Sequence, residues 1–226
     1  MNFVSLPALS EIPFITHGFT LRQLDTGQDF DLNLHGCNQT NHIKKNLNKL
    51  TELIGFPSAP VITCRQVHQN KIIKVDLLEN TPQEIRKMQG DGLITDQPNV
   101  ILAVLTADCL PILLIDEKQK VIAAIHAGRN GTMISIVEKA IEKMESLFGV
   151  VPENLLAGIG PGIKKCCYEV DILENNIQQI KDKGVLKKNI FNIDQCTSCE
   201  NDIFFSYRAE KGETGRMVGF IMIKNQ

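Results

Sequence analysis

The sequence has no Trp, only two Tyr, and 5% aromatic residues overall. Base-stacking platforms are built from aromatic side chains, so this poverty argues against a nucleic-acid binder. A basic excess is missing too: 24 Lys and Arg stand against 26 Asp and Glu, a formal net charge of −2. That balance offers nothing to attract nucleic acid or an anionic membrane surface. No apolar run approaches the roughly 18 residues that a membrane-spanning helix requires. Met1 to Pro13 has no basic n-region and carries Glu11, so it does not read as a signal peptide. With no export signal read, the seven Cys are expected to be reduced thiols in a cytoplasmic protein. Repeats, low-complexity segments and linkers are absent as well, which predicts one domain over residues 1–226. A hydrophobic content of 43% is enough to fill its core.

What the chain does hold is a series of short apolar runs centred on Leu105 to Gly131. Val100–Leu105, Leu110–Ile115 and Val121–Ile125 are separated by the turns Thr106-Ala107-Asp108-Cys109 and Asp116 to Lys120. Runs of this length between turn signals predict buried strands. Cys109 and His126 then sit at strand ends in one sheet, facing a cleft. Gly128 and Gly131 permit close backbone approach to a ligand. Ile134, Val137, Ile141, Met144 and Phe148 recur at helical spacing and predict one helix over Ile134–Phe148. Its N-terminus is expected to point back at His126, where anions are favoured.

Around this centre, Ile12–Phe19 reads as a strand bearing His17, followed by a polar loop with Arg22. Asp31 to Gly36 alternates briefly, as an edge strand would. Asn41–Ile54 reads as a helix stopped by Gly55. A strand is expected from Pro60 through Cys64 and Gln66 to His68, with Lys71–Val75 continuing it or pairing with it. Leu77–Gln89 shows no clear pattern. Leu93–Thr95 is a short strand, and another opens at Pro152–Leu155 and ends near Gly160. Ile172–Ile180 predicts a helix and Ile190–Ile193 a strand. Ile203–Tyr207 reads as a strand, Ala209–Gly215 as a hairpin, and Met217–Ile223 as the last strand.

Two His and one Cys at strand-to-turn junctions, His68, Cys109 and His126, form a plausible three-ligand zinc set with an open fourth position. Imidazole and thiolate suit zinc or copper better than magnesium. The same residues also fit a Cys109 nucleophile with a His base. Asp108 and Asp91 are candidates to orient a ligand or act as a base, and each is equally a turn residue. Arg22, Arg129, Arg208 and Arg216 are the guanidinium candidates for phosphate. Gly158 to Gly162 is Gly-rich but lacks the Lys-Ser/Thr end of a phosphate loop. Cys196-x-x-Cys199 is half of a knuckle or a redox pair. Cys166-Cys167 looks a poor complement, since neighbours in extended chain point to opposite faces. All four are therefore expected to be structural or incidental thiols. His17, His35 and His42 have no evident partner.

Several strings resemble one family in order along nearly the whole chain. They include His17-Gly18 with Arg22, Gln66-Val67-His68, Asp91-Gly92-Leu93-Ile94-Thr95, Thr106-Ala107-Asp108-Cys109-Leu110-Pro111 and His126-Ala127-Gly128. Gly160-Pro161 with Cys167-Tyr168-Glu169-Val170, Cys196-Thr197, Phe205-Ser206-Tyr207-Arg208 and Thr214-Gly215-Arg216-Met217 continue the match. The chain resembles the laccase-domain or polyphenol-oxidase family, now described as purine nucleoside phosphorylases. The resemblance implies a mixed α/β (α+β) fold, layered β-sheets flanked by outer helices, of the cysteine-hydrolase type shared with Cys-His toxin deamidases. It implies a metal, zinc or in an older view copper, on His68, Cys109 and His126. It implies purine nucleosides and phosphate as partners. The expected reactions are phosphorolysis of adenosine, inosine and S-methyl-5'-thioadenosine to free base and ribose 1-phosphate, with adenosine deamination. Arg22, Arg208 and Arg216 are the phosphate candidates, and Asp108 or Asp91 the proton relay.

The chain departs from the family pattern in four places. Arg129 and Asn130 stand where Trp and Arg are usual, Gln69 follows Gln66-Val67-His68 in place of Gly, Asp91 is flanked by Gly and not Ala, and the loop after Arg22 is short. Three other readings stay open: a Cys-His amidohydrolase with Cys109 as nucleophile, a copper-dependent oxidase, and a non-catalytic metal-binding protein.

Overall fold

The apolar runs become strands because both faces of the central ones are covered, so they need not alternate with polar residues. The computed structural model describes residues 2–33 and 41–225. In chain order the elements are β1 (Phe3–Val4), α1 (Pro7–Ser10), β2 (Ile15–Thr20), α2 (Asn41–Leu53), β3 (Val61–Ile62) and β4 (Ile72–Lys74). Then come α3 (Pro82–Lys87), β5 (Gly92–Thr95), β6 (Ile101–Thr106), β7 (Leu110–Asp116), β8 (Val121–Ala127), α4 (Arg129–Met133) and α5 (Ile136–Phe148). The chain closes with β9 (Leu155–Ile159), α6 (Ile172–Asp182), β10 (Ile190–Asn192) and β11 (Met217–Ile223).

Two mixed sheets result, a five-stranded one ordered β1-β2-β11-β6-β3 and a six-stranded one ordered β10-β9-β7-β8-β5-β4. Alternation along the strands sorts side chains into three layers of core. Leu102, Val104 and Ile221 of the first sheet meet Leu113, Ile115, Ile122 and Ala124 of the second. Ile112, Leu114, Ala123 and Ile125 turn the other way, onto Ile136, Val137, Ala140 and Ile141 of α5 and Ile180 of α6. On the opposite side Ile101, Ala103 and Phe220 pack against Ile43 and Leu50 of α2. The outcome is a layered, mixed α/β fold with helices outside both sheets.

The chain crosses between the sheets repeatedly at one end. β3 and β6 are parallel, so both run out at that end. There Met217 of β11 pairs with Thr106 of β6, and Leu110 of β7 pairs with Ala127 of β8. The crossing from β3 to β4 carries His68, and that from β6 to β7 carries Asp108 and Cys109. The long return from β10 to β11 carries Cys196, Ser206 and Arg208. His126 shares the parity of Ile122 and Ala124, so it faces the space between the sheets.

Several sequence expectations are corrected. The helix expected over Ile134–Phe148 is α5, which starts two residues later because Ser135 adopts a left-handed backbone with φ 57°; the short helix α4 before it was not expected. It is α4, not α5, that starts beside His126. No strand runs from Cys64 to His68: β3 ends at Ile62, and β4 belongs to the other sheet. Ile203–Tyr207 is a succession of turns tied by hydrogen bonds such as Phe204 N–H to Glu200 O, so no hairpin follows it. Pro152–Asn154 is a short 3-10 turn before β9. Residues 31–33 of the expected edge strand are not in a strand, and its remainder, with His35, lies outside the described residues. Leu77–Gln89, which shows no clear pattern, contains α3, and its start is written in Thr81-Pro82-Gln83-Glu84, a capping box with Pro at the first turn.

Candidate metal centre

Asp91 is the first residue to place. It is fully buried, between β4 and β8 at the head of β5. Its carboxylate accepts the backbone N–H groups of Val67 at 3.1 Å, His68 at 2.9 Å and Gln69 at 2.8 Å. These successive donors form a nest around the anion, and the positive φ of His68, 58°, is part of its geometry. The same carboxylate lies 2.9 Å from His126 Nδ1. Burial pushes the Asp91 carboxyl up, but His126 and the N–H donors outweigh it and hold its pKa below the usual carboxylate range.

With Nδ1 of His126 engaged, Nε2 is the nitrogen left to face Cys109 and His68. The ligand atoms of His68, Cys109 and His126 lie within 4.8 Å of one another. The two imidazoles meet edge to face at 82°, with centroids 4.9 Å apart. Gly128 makes this approach possible: a Cβ there would stand 2.7 Å from Cys109 Sγ and 3.2 Å from His68 Cδ2. Burial pushes the Cys109 thiol up, yet the charge of His126 and hydrogen bonds from both imidazoles bring its pKa down to about 6. Burial likewise disfavours charged His126, but Cys109 and Asp91 raise its pKa to about 9. A thiolate beside two imidazoles, one of them oriented by a carboxylate, is a donor set fit for zinc or copper.

Asp108 has a different task. It adopts φ 89°, a costly conformation for a residue with a side chain. Its carboxylate accepts the hydroxyls of Thr197 and Ser206, each at 2.7 Å, and the backbone N–H of Arg208 at 2.7 Å. Asp108 thus ties the return segment from β10 to the Cys109 turn.

Above the cluster opens a cavity of about 1050 Å³. Arg208 and Arg216 both line it, together with Arg129. Arg208 stacks over Tyr168, 5.0 Å from the ring centre, and its Nη2 lies 3.4 Å from Glu169. Glu169 also accepts from Arg129 at 3.0 Å, so one carboxylate spans two guanidiniums. Arg216 donates from Nη1 to the carbonyls of Thr214 and Gly215, both at 2.9 Å. Arg22 does not join them: it pairs with Glu210 at 2.9 Å and lies over Phe205, outside the cavity lining. Lys211, Tyr168 and Tyr207 are wall residues with no role assigned from sequence. Tyr207 stands next to Arg208, but a lone Lys on a turn gives no signal.

The family described as multi-copper polyphenol oxidoreductase laccase matches residues 16–172 and 170–224. The chain belongs to this family. A relative from Escherichia coli K12, named purine nucleoside phosphorylase YfiH, is 31% identical over 85% of the chain and 86% of its own length. Another from Geobacillus stearothermophilus, named purine nucleoside phosphorylase YlmD, is 29% identical over 84% of the chain and 82% of its own. The crystal structure of the hypothetical protein YfiH of Bacillus licheniformis superposes with a TM-score of 0.90 at 26% identity, covering 99% of this chain and 97% of that one.

Within this laccase-family chain the remaining candidates are structural. His17 is buried in β2 and its Nε2 accepts the Leu6 N–H at 3.1 Å. Cys64 donates to the Gly90 carbonyl at 3.1 Å, and burial, with Asp91 nearby, pushes its thiol up to about 12. Gln66 clamps Leu105 through both backbone groups at 2.8 Å, locking the His68 crossing to β6. His42 sits 3.1 Å from the Asn46 amide in α2. Cys166, Cys167, Cys196 and Cys199, expected to be structural or incidental thiols, lie with their sulfurs within 4.8 Å of one another. No helix among the described residues is long and apolar enough to cross a membrane.

Proposed function

We propose that this chain is a zinc-dependent purine nucleoside phosphorylase that also deaminates adenosine. The observation that carries the reading is the stacking of two features in one cavity. A His68-Cys109-His126 cluster forms its floor, and Arg129, Arg208, Lys211 and Arg216 stand in its wall. The relatives' names, purine nucleoside phosphorylase, point the same way.

In this reading adenosine, inosine and S-methyl-5'-thioadenosine enter the cavity with phosphate. Arg208, Lys211 and Arg216 hold the phosphate, whose paired oxygens suit a guanidinium fork. Glu169 occupies the Arg129 and Arg208 forks, so phosphate competes with it for them. Tyr168 and Tyr207 offer the purine an apolar face. A phosphate oxygen bonds the ribose anomeric carbon as the glycosidic bond breaks, and the base leaves with the bonding electrons and takes up the proton that the phosphate loses. Ribose 1-phosphate is the second product. His68, Cys109 and His126 would hold the zinc, which supplies Lewis-acid chemistry at its open position. Asp91 acts through His126 by fixing its tautomer, and Asp108 acts through Arg208 by fixing its backbone. Both carboxylates are already engaged by several donors, so positioning suits them better than proton relay.

The test is incubation of zinc-loaded protein with adenosine, with and without phosphate, followed by separation of products. Adenine with ribose 1-phosphate, formed only when phosphate is present, is the expected result, and inosine marks deamination. Neither product from adenosine would overturn the proposal. His68→Ala is expected to abolish both activities and to lose the metal of this centre.

The array Cys109-His126-Asp91 also favours a second reading, a cysteine hydrolase of the toxin-deamidase type with Cys109 as nucleophile and His126 as base. That activity would survive chelation and be lost to iodoacetamide. The zinc reading expects activity to be lost on chelation.

A further inference from the structure

We propose that Cys166, Cys167, Cys196 and Cys199 form a second metal site, a closed four-thiolate zinc site that staples two segments of the cavity wall together. The proposal goes beyond the nucleoside activity and does not depend on it.

The geometry is that of a tetrad. All four sulfurs lie within 4.8 Å of one another. Four thiolates around a tetrahedral zinc, with Zn–S bonds of about 2.3 Å, stand about 3.8 Å apart. Cys199 Sγ is 3.4 Å from Cys166 Sγ and 3.3 Å from Cys167 Sγ. One sulfur equally near two others marks a shared centre, where a disulfide would select one partner. All four are free thiols.

Local backbone explains how neighbours in sequence reach one point. Residues 164–168 form a tight turn, with the N–H groups of Cys167 and Tyr168 both donating to the Lys164 carbonyl, at 2.9 and 3.0 Å. In that turn Cys166 and Cys167 no longer point to opposite faces as they would in a strand. Cys196 and Cys199 sit on a second turn, closed by Glu200 N–H to Cys196 O at 3.0 Å. The Thr197 N–H donates to the Gly162 carbonyl at 3.2 Å and joins the two turns. The Lys164 N–H lies 3.4 Å from Cys196 Sγ, a donor placed on sulfur as a thiolate requires. Cys196 is buried, Cys167 half-buried, and Cys166 and Cys199 exposed, so an ion has a path in.

Four soft thiolates select zinc over magnesium or calcium, and a four-protein-ligand set leaves no position for substrate. Each thiol releases its proton to solvent as its sulfur bonds the ion, and no oxidant is involved. The consequence for the cavity follows from what adjoins the tetrad. Tyr168 and Glu169, which hold Arg208, come directly after Cys167. Thr197, which donates to Asp108, lies between Cys196 and Cys199. The zinc would fix the wall without touching the reacting atoms.

The experiment is metal analysis of the purified full chain, kept reduced and dialysed after zinc loading. Wild type is expected to hold one more zinc per chain than the Cys196→Ser/Cys199→Ser variant. The His68→Ala variant, stripped of the first centre, is expected to keep a zinc that resists dialysis. Equal zinc in wild type and the double Ser variant, or a zinc-free His68→Ala protein, would overturn the proposal. Should the double Ser variant fail to fold, cobalt substitution of His68→Ala decides. Intense thiolate-to-cobalt charge transfer with tetrahedral bands supports the tetrad. Their absence, or an intact disulfide among these cysteines in zinc-treated reduced protein, overturns it.

Discussion

Asp91 does not line the cavity, yet it braces the cluster beneath it. Its negative charge serves a backbone nest and His126 Nδ1 at once. Asp91→Asn keeps the size but removes that charge. Carboxylates behind a metal-binding His typically contribute 10–100-fold to affinity, and a loss of about that size is expected, read by chelator competition. Unchanged affinity would remove Asp91 from the centre. His17 offers a separate prediction at this scale. Burial outweighs its hydrogen bond from Leu6 and lowers its pKa from 6.5 to about 4. The unfolded chain therefore takes the proton first as pH falls. The stability that neutral His17 permits is fully present above about 6.5 and is lost as pH falls toward about 4, in total about 3 kcal/mol at 1.4 kcal/mol per unit. Urea unfolding across that range, with His17→Gln as the control, checks it. An equally steep decline in the control would assign the acid sensitivity elsewhere.

At the scale of elements, α3 shows a local rule acting alone. Thr81 Oγ1 accepts the Glu84 N–H at 3.3 Å, and the Glu84 carboxylate accepts the Thr81 N–H at 2.7 Å. Thr81→Ala is expected to cost about 1 kcal/mol in urea unfolding while leaving turnover unchanged, because α3 lies outside the cavity lining. A change in turnover would show a coupling that the contacts do not. The strands β6, β7, β8 and β11 were legible as apolar runs because burial on both faces demands mostly apolar residues. The short helix α4 was not, since Arg129 to Met133 carries no apolar period, and Met133 and Ile134 are exposed. The segment 203–207 reads as a strand for a related reason. Phe204 and Phe205 are buried, but against Met217, Leu21 and Ala107 from a turn, so burial without a ladder mimics strand composition.

For the whole molecule, the proposed metal centre predicts a link between ion binding and stability. His68 and Cys109 sit on separate crossings between the two sheets, so an ion held by them and His126 would join those crossings to β8. An ion present at about 100 times its Kd stabilises the folded state by about 2.7 kcal/mol. For a chain of this length that raises the melting temperature by roughly 5–10 °C. Chelation should reverse the shift, as read by differential scanning calorimetry, and an unmoved transition would sever the centre from the fold. Cationic residues in the cavity wall carry a further expectation: Arg208→Ala should raise the KM for phosphate at least about tenfold, the loss of one charge-assisted bond of about 1.5–3 kcal/mol. An unchanged KM would place phosphate elsewhere in the cavity.

The sequence by itself determined the strands of the centre, the three residues gathered there, and the family. Each is written locally, in uninterrupted apolar runs and in short strings such as Thr106 to Pro111. Only the tertiary structure decided which sheet each strand joins, that Arg22 turns to Glu210 while Lys211 enters the cavity, and that Cys166, Cys167, Cys196 and Cys199 meet. Those outcomes depend on contacts between residues far apart in the chain. Chain spacing carries no record of them, because the crossings that create them are turns whose residues satisfy many geometries until the two sheets pack.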